Sequence, residues 1–128
     1  MNKIILAALA IVILIGGYSY YGKDKADTAS AVKEFSMISR MDINGEEMSP
    51  TFSLNEMRVK KGDTVKITVT NTNGMHDFVL DEFGIAKETP LNEPVVIEFV
   101  ADKVGTFEYY CSKYNHRALG QRGNLIVE

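Results

Sequence analysis

Beyond residue 32 no stretch of this chain sustains a helical period, and TVKITVTN at 64–71 shows what replaces it. Val65, Ile67 and Val69 alternate with Thr64, Lys66, Thr68 and Thr70, the two-residue period of a strand with one buried and one solvated face. Short β-rich runs also occur at 33–40, 51–54, 56–60, 76–81, 94–101, 104–111 and 122–128. Turn residues separate them: Lys61-Gly62-Asp63, the loop Asn71 to Gly74, and Lys103-Val104-Gly105. That pattern indicates an all-β sandwich or barrel. The stretch 83–94 is the least regular and is expected to hold one helical turn.

The 128 residues suffice for one domain. The N-terminus is set apart from it. Lys3 precedes IILAALAIVILIGG and then Tyr18, Tyr20 and Tyr21, so residues 4–21 run without a charge, the lower length for spanning a bilayer. Tyrosines suit the membrane interface. A charged start before an apolar run is the pattern of an export signal, but the small-residue site Ala29-Ser30-Ala31 lies far beyond it. The expectation is an N-terminal apolar helix over 1–22 that anchors the chain, in preference to a cleaved signal. A polar tether follows over 23–31, then the folded domain over 32–128, placed outside the cytoplasm.

Removing Lys3, Lys23, Lys25, Asp24 and Asp27 leaves 15 acidic and 11 basic residues in the domain, a net charge near −4. With no basic cluster larger than Arg58-Val59-Lys60-Lys61, this argues against nucleic-acid binding.

Cys111 is the only cysteine, and His76 and His116 are the only histidines. Cys111 ends the apolar run TFEYYC, His116 follows after four residues, and Gln121 after four more. Each residue alone has an ordinary structural explanation, the thiol as a buried small hydrophobe and His76 as a core imidazole. Together they form a set. One thiolate and two imidazoles are the equatorial ligands of a blue-copper electron-transfer site, completed by a weak axial Met or Gln. Ser112 to Asn115 supply a turn that brings His116 back toward the thiolate. Arg117 to Gly120 supply another, in which Gly120 is free to take a positive φ. The expected metal ligands are therefore His76, Cys111, His116 and Gln121. Met75, beside His76, competes for the axial place. Zinc also accepts Cys and His, and a zinc hydrolase would need a carboxylate base, for which Asp77 is the adjacent candidate. Ligand softness and the affinity order favour copper. The strand alternation puts Tyr109 on the face of Cys111 and Tyr110 on the other.

The segments VKKGDTVKITVTN (from Val59), HDFVLDEF (from His76), DKVGTFEYYCS (from Asp102) and the ligand loop resemble the cupredoxin family over 32–128. The likeness is to small prokaryotic plastocyanin-like or azurin-like domains. It implies a Greek-key β-sandwich, one type 1 copper ion cycling between Cu(I) and Cu(II), and no enzymatic turnover. Most members carry Met at the axial position, whereas Cys-x4-His-x4-Gln resembles the stellacyanins. Those have a disulfide that a chain with one cysteine cannot form. In azurin-like members the side chains matching Asp77 and Ser112 link the two ligand loops, which implies the same link here.

The leading expectation is a monomeric one-electron carrier that passes electrons to redox partner proteins. They would leave through His116, the more exposed imidazole, past an apolar patch of Ala118 and Leu119. Lys113, Arg117 and Arg122 would ring that patch and favour an acidic partner face. The alternative is an extracytoplasmic copper-binding or copper-delivery protein, although delivery sites should be exposed and Met/His-rich. A two-copper CuA-type centre needs a second cysteine in the loop.

Overall fold

In the computed structural model, which describes residues 30–128, the alternation at 64–71 is a strand with Val65, Ile67 and Val69 fully buried. The described strands are β1 (Val32–Asn44), β2 (Glu47–Phe52), β3 (Glu56–Val59), β4 (Thr64–Asn71), β5 (His76–Leu80), β6 (Ile85–Thr89), β7 (Val95–Val100), β8 (Gly105–Tyr110) and β9 (Arg122–Val127). They form two sheets, ordered β2-β1-β4-β7 and β3-β9-β8-β5-β6. The chain passes between the sheets repeatedly, as a Greek-key sandwich requires. Two pairs, β1 with β4 and β3 with β9, are parallel, and the other pairs are antiparallel. The apolar segment 1–22 and the tether up to residue 29 lie outside the described residues. Among the described residues no helix is long and apolar enough to cross a membrane.

Two elements differ from the sequence reading. The first two strands are longer than expected and meet in a hairpin, with Asn44 opposite Glu47 across the two-residue loop Gly45-Glu46. The irregular stretch at 83–94 contains a strand, β6, rather than only a helical turn. The helical turn is a 3-10 turn at Asp81–Phe83, and β6 then pairs with β5 from Leu80↔Ile85 to His76↔Thr89. The run IAKET is polar because β6 is an edge strand, where solvent-facing charge discourages further pairing. An apolar-run search does not find such a strand.

The core lies between the sheets. Phe52, Phe78 and Tyr109 cluster with ring centroids 5.5–6.1 Å apart, and Ile67, Leu80 and Leu125 pack around them. Tyr109 is fully buried yet satisfied, because its hydroxyl donates to the Leu54 carbonyl at 2.8 Å. Burial pushes its phenol above the ordinary value of 10.0. At the opposite end Asp63 fastens the turn before β4. It accepts the backbone N–H groups of Ala31 and Lys60 at 3.0 and 2.9 Å, and these bonds hold its carboxyl below the usual carboxylate range.

Gly123 pairs with Tyr109 across β8 and β9. A Cβ there would lie 2.4 Å from the Tyr109 ring and 2.7 Å from the Asn55 carbonyl oxygen. Gly123→Ala is therefore expected to destabilise the fold by about 1–3 kcal/mol, the usual cost of overpacking a filled core. Urea denaturation checks this, and an unchanged midpoint would contradict the packing described.

Candidate metal centre

All four expected ligands meet at one end of the sandwich. His76 opens β5, Cys111 follows β8 directly, His116 lies in the loop beyond it, and Gln121 precedes β9. The loop is closed by the Cys111 N–H donating to the Gln121 carbonyl at 3.1 Å and by the Gln121 N–H donating to the His116 carbonyl at 2.9 Å. Both expected turns form. The His116 N–H donates to the Lys113 carbonyl at 3.1 Å, and Gly120 takes φ 107°, a conformation that only glycine adopts without strain.

The ligand atoms of His76, Cys111 and His116 lie within 4.8 Å of one another. Cys111 Sγ is 3.9 Å from His76 Nδ1 and 3.5 Å from His116 Nδ1. Gln121 Oε1 is 2.9 Å from His76 Nδ1. Cys111 and Gln121 are fully buried, and His116 is the more exposed imidazole, at 5% against 1% for His76. The difference has the expected sign, but both rings are buried.

The donor chemistry can be tested at His76. Its Nε2 faces the Asn73 carbonyl oxygen at 2.9 Å, and its Nδ1 faces Gln121 Oε1. The amide orientation is not arbitrary, because Gln121 Nε2 lies 3.1 Å from the Thr51 carbonyl, a group that can only accept, and 2.9 Å from Ser39 Oγ. A neutral imidazole has one N–H for two facing acceptors. With that proton on Nε2, the Nδ1 lone pair and the amide oxygen lone pair point at each other. A cation shared by Nδ1, Oε1 and the Cys111 sulfur resolves the conflict, and the hydrogen bond at Nε2 then sets which nitrogen ligates. The residues present fit a bound metal.

Burial pushes the Cys111 thiol up, and the charge of Asp77 adds to this, while backbone N–H groups of Asp77 and Lys113 act the other way. Burial holds His116 below its ordinary value, with His76 contributing in the same direction. Burial thus disfavours charge on both groups; a bound cation would favour the Cys111 thiolate and keep His116 neutral, the form in which an imidazole ligates.

A family model for the cupredoxin-like domain matches residues 8–127. The chain belongs to that family. Its relatives include the nitrous-oxide reductase of Stutzerimonas stutzeri, 37% identical over 86 residues that make up 63% of this chain and 14% of that protein. The nitrous-oxide reductase of Cupriavidus necator is 35% identical over 94 residues, 70% of this chain and 15% of that protein. The chain thus spans a small part of these relatives' length. Among solved structures, the copper nitrite reductase from Nitrosomonas europaea superposes with a TM-score of 0.66 at 21% identity, over 76% of this chain and 41% of that one. Reduced auracyanin from Roseiflexus castenholzii superposes at 0.58 and 19% identity, over 77% of this chain and 99% of that one. These likenesses show the cupredoxin fold, and in this member of the family the His–Cys–His cluster suits a single type 1 copper ion.

The surroundings of the cupredoxin site refine the sequence reading. Asp77 and Ser112 link the two ligand segments as expected, with Asp77 Oδ1 accepting the Ser112 N–H at 2.6 Å and Oδ2 accepting its hydroxyl. Met75 does not join the cluster. It is 56% exposed, with its sulfur facing the Tyr114 hydroxyl at 3.8 Å. Tyr110 points away from Cys111, its ring 3.7 Å from the Arg117 guanidinium carbon. Of the expected cationic ring, Lys113 is paired with Glu88 and Arg117 with Glu108, each at 2.7 Å. Ser39, Thr51 and Asn73 were not anticipated. Ser39 alone left a trace, as a polar residue on the inward face of β1 that Phe35 and Met37 share.

His116 makes the metal-free protein sensitive to acid. Because its folded value lies below the ordinary 6.5, the unfolded chain takes up a proton first as pH falls past 6.5, so stability present above that value is lost below it. The urea midpoint of metal-free protein is expected to fall from pH ~7 to ~5, and His116→Gln to flatten the profile. A profile of unchanged slope in the variant would contradict this.

Proposed function

We propose that this domain is a one-electron carrier working outside the cytoplasm, with one type 1 copper ion held by His76, Cys111 and His116 and an axial contact from the Gln121 amide oxygen. The observation that carries this reading is the convergence of one sulfur, two Nδ1 atoms and one amide oxygen in a buried pocket. Copper supplies a couple between Cu(I) and Cu(II) and needs no bound substrate. The protein's part is to hold the donors still, so that little rearranges when charge changes. His76 is fixed by Asn73, Gln121 by Ser39 and Thr51, and the Cys111 loop by Asp77.

Burial of the thiolate speaks against copper delivery, which needs an exposed donor for exchange. Asp77 spends both oxygens on Ser112, which speaks against a zinc hydrolase with Asp77 as base. The reductases among the relatives contribute copper-protein kinship over a fraction of their length, and their activities are not carried over.

Electrons are proposed to pass at the His116 end. Tyr114, Leu119 and Met75 are exposed there, at 79%, 53% and 56%. Since Lys113 and Arg117 are already paired, docking to a redox partner would be mainly apolar, with salt affecting it weakly. The apolar segment 1–22 would tether a monomeric domain to the membrane.

One equivalent of Cu(II) is expected to produce an intense thiolate-to-copper absorption in the visible, which Cys111→Ser abolishes. A colourless complex, or colour surviving in the variant, would overturn the type 1 assignment. Gln121→Met is expected to raise the reduction potential, because an amide oxygen is the harder donor and favours Cu(II). A difference in axial bonding of about 1–2 kcal/mol corresponds to roughly 40–90 mV for one electron. Redox titration of both proteins checks this, and a potential that stays or falls would remove Gln121 from the ligand set.

A further inference from the structure

The chain enters the sandwich at the end opposite the metal centre. There the Ala31 N–H donates to the Asp63 carboxylate, and Val32 pairs with Thr64, the first residue of β4. From Thr64 the strand rises about 23 Å to Asn71, whose amide donates to the Gly74 carbonyl in the loop leading to His76. Backbone bonds gather four segments at the entry end. The Thr64 N–H donates to the Ala31 carbonyl, that of Gly62 to Ala101 and that of Lys61 to Glu128. Lys33, Lys60, Lys61 and Lys103 are exposed on these segments, and Val32, Val100 and Val104 are each more than half exposed among them. Val32 and Val100 flank Thr64 in one cross-strand row.

The charge of the domain is unevenly spread. At this end Lys33, Arg58, Lys60, Lys61 and Lys103 are accompanied by Asp63, Asp102 and Glu128, which leaves +2 here against −6 over the rest of residues 32–128. Of the three acids, Asp63 is buried with both oxygens on backbone N–H groups, and Glu128 is paired with Arg58 at 2.9 Å. Among the described residues none of the four lysines has an ion-pair partner. Lys103 sets its ammonium on the Glu82 carbonyl and over the Phe83 ring, contacts that leave its charge uncompensated. Lysines interspersed with exposed valines suit a surface that is anionic outside and apolar beneath, which is that of a phospholipid bilayer. The position agrees. Ten residues, 22–31, separate the apolar run from β1. The entry end therefore lies no more than about 35 Å from that run even at full stretch.

We propose that the entry end docks on anionic phospholipid headgroups through Lys33, Lys60, Lys61 and Lys103, with Val32, Val100 and Val104 between them, so that the metal centre faces away from the membrane. This rests on the reading of 1–22 as a membrane tether and is independent of the copper reading. The chain has no tryptophan, so a single introduced one reports alone. The test is the fluorescence of full-length Val104→Trp, at the entry end, and Leu119→Trp, at the metal end. Both are reconstituted in vesicles of phosphatidylcholine, with and without an equal part of phosphatidylglycerol, in which some headgroups carry a quenching nitroxide. Val104→Trp should be quenched at least about twofold more strongly in the anionic vesicles, and the difference should vanish at about 1 M salt, which screens the lysines. Leu119→Trp should stay unquenched in both. Adding Lys33→Gln, Lys60→Gln and Lys61→Gln together to Val104→Trp should remove the difference and leave the urea midpoint unchanged. Equal quenching of Val104→Trp in the two kinds of vesicle would overturn the proposal. So would stronger quenching of Leu119→Trp, or a blue-shifted but unquenched Val104→Trp, the sign of a face covered by a second copy. Flotation of the vesicles at the same high salt judges the tether by itself. A chain that floats with them keeps the tether standing whatever the quenching shows, and a chain left behind would overturn the tether and this docking together.

Discussion

The Gln121 side chain joins the two sheets at the end of the sandwich where the polar residues gather. Its NH2 group donates to Ser39 on β1 and to the Thr51 carbonyl on β2, both in the first sheet. Its oxygen is thereby turned toward His76 on β5 of the second sheet. Because a backbone carbonyl cannot donate, the amide has one acceptable orientation. Neighbouring contacts follow from that. The His76 ring sits between Gln121 and Asn73, its Nδ1 faces the thiol, and the backbone bond between Gln121 and Cys111 closes the loop that carries His116.

Buried polar groups are costly unless paired, and the fold confines them accordingly. The middle of the sandwich is apolar, with Val65, Ile67, Phe78 and Leu125 fully buried. Ser39, Asn71, His76, His116 and Gln121 are buried toward one end, where they engage one another and nearby carbonyls, and Asp77 beside them accepts from Ser112. Three of the four donor residues are set against strands: His76 opens β5, Cys111 follows β8 and Gln121 precedes β9. A site built on strands keeps its geometry better than one on free loops. His116, the exception, is on a loop pinned by its own turns and by the tie from Asp77 to Ser112.

The sandwich and the cluster of candidate donors were legible because their signals are local or involve rare residues. The alternation around Val65, Ile67 and Val69 specifies a half-buried strand without reference to the rest of the chain. One cysteine and two histidines leave few ways to assemble a soft metal site. The hairpin at Gly45-Glu46 and the edge strand Ile85–Thr89 were missed or shortened because pairing partners, not apolar runs, make them strands. Ser39 and Thr51 lie 82 and 70 residues from Gln121, so no local pattern connects them to it. The pairing within the expected cationic ring was hidden for a related reason. Glu88 and Glu108 meet Lys113 and Arg117 only in the folded chain.

The central claim is that the fold presents four donors to one ion and that strands β1 and β2 aim the fourth. A crystal structure of the copper-loaded protein tests this most directly. It should show Cys111 Sγ, both Nδ1 atoms and Gln121 Oε1 directed at a single copper, with Gln121 Nε2 still bonded to Ser39 and Thr51. A copper held elsewhere, or a Gln121 amide reversed or turned out of the pocket, would contradict the account.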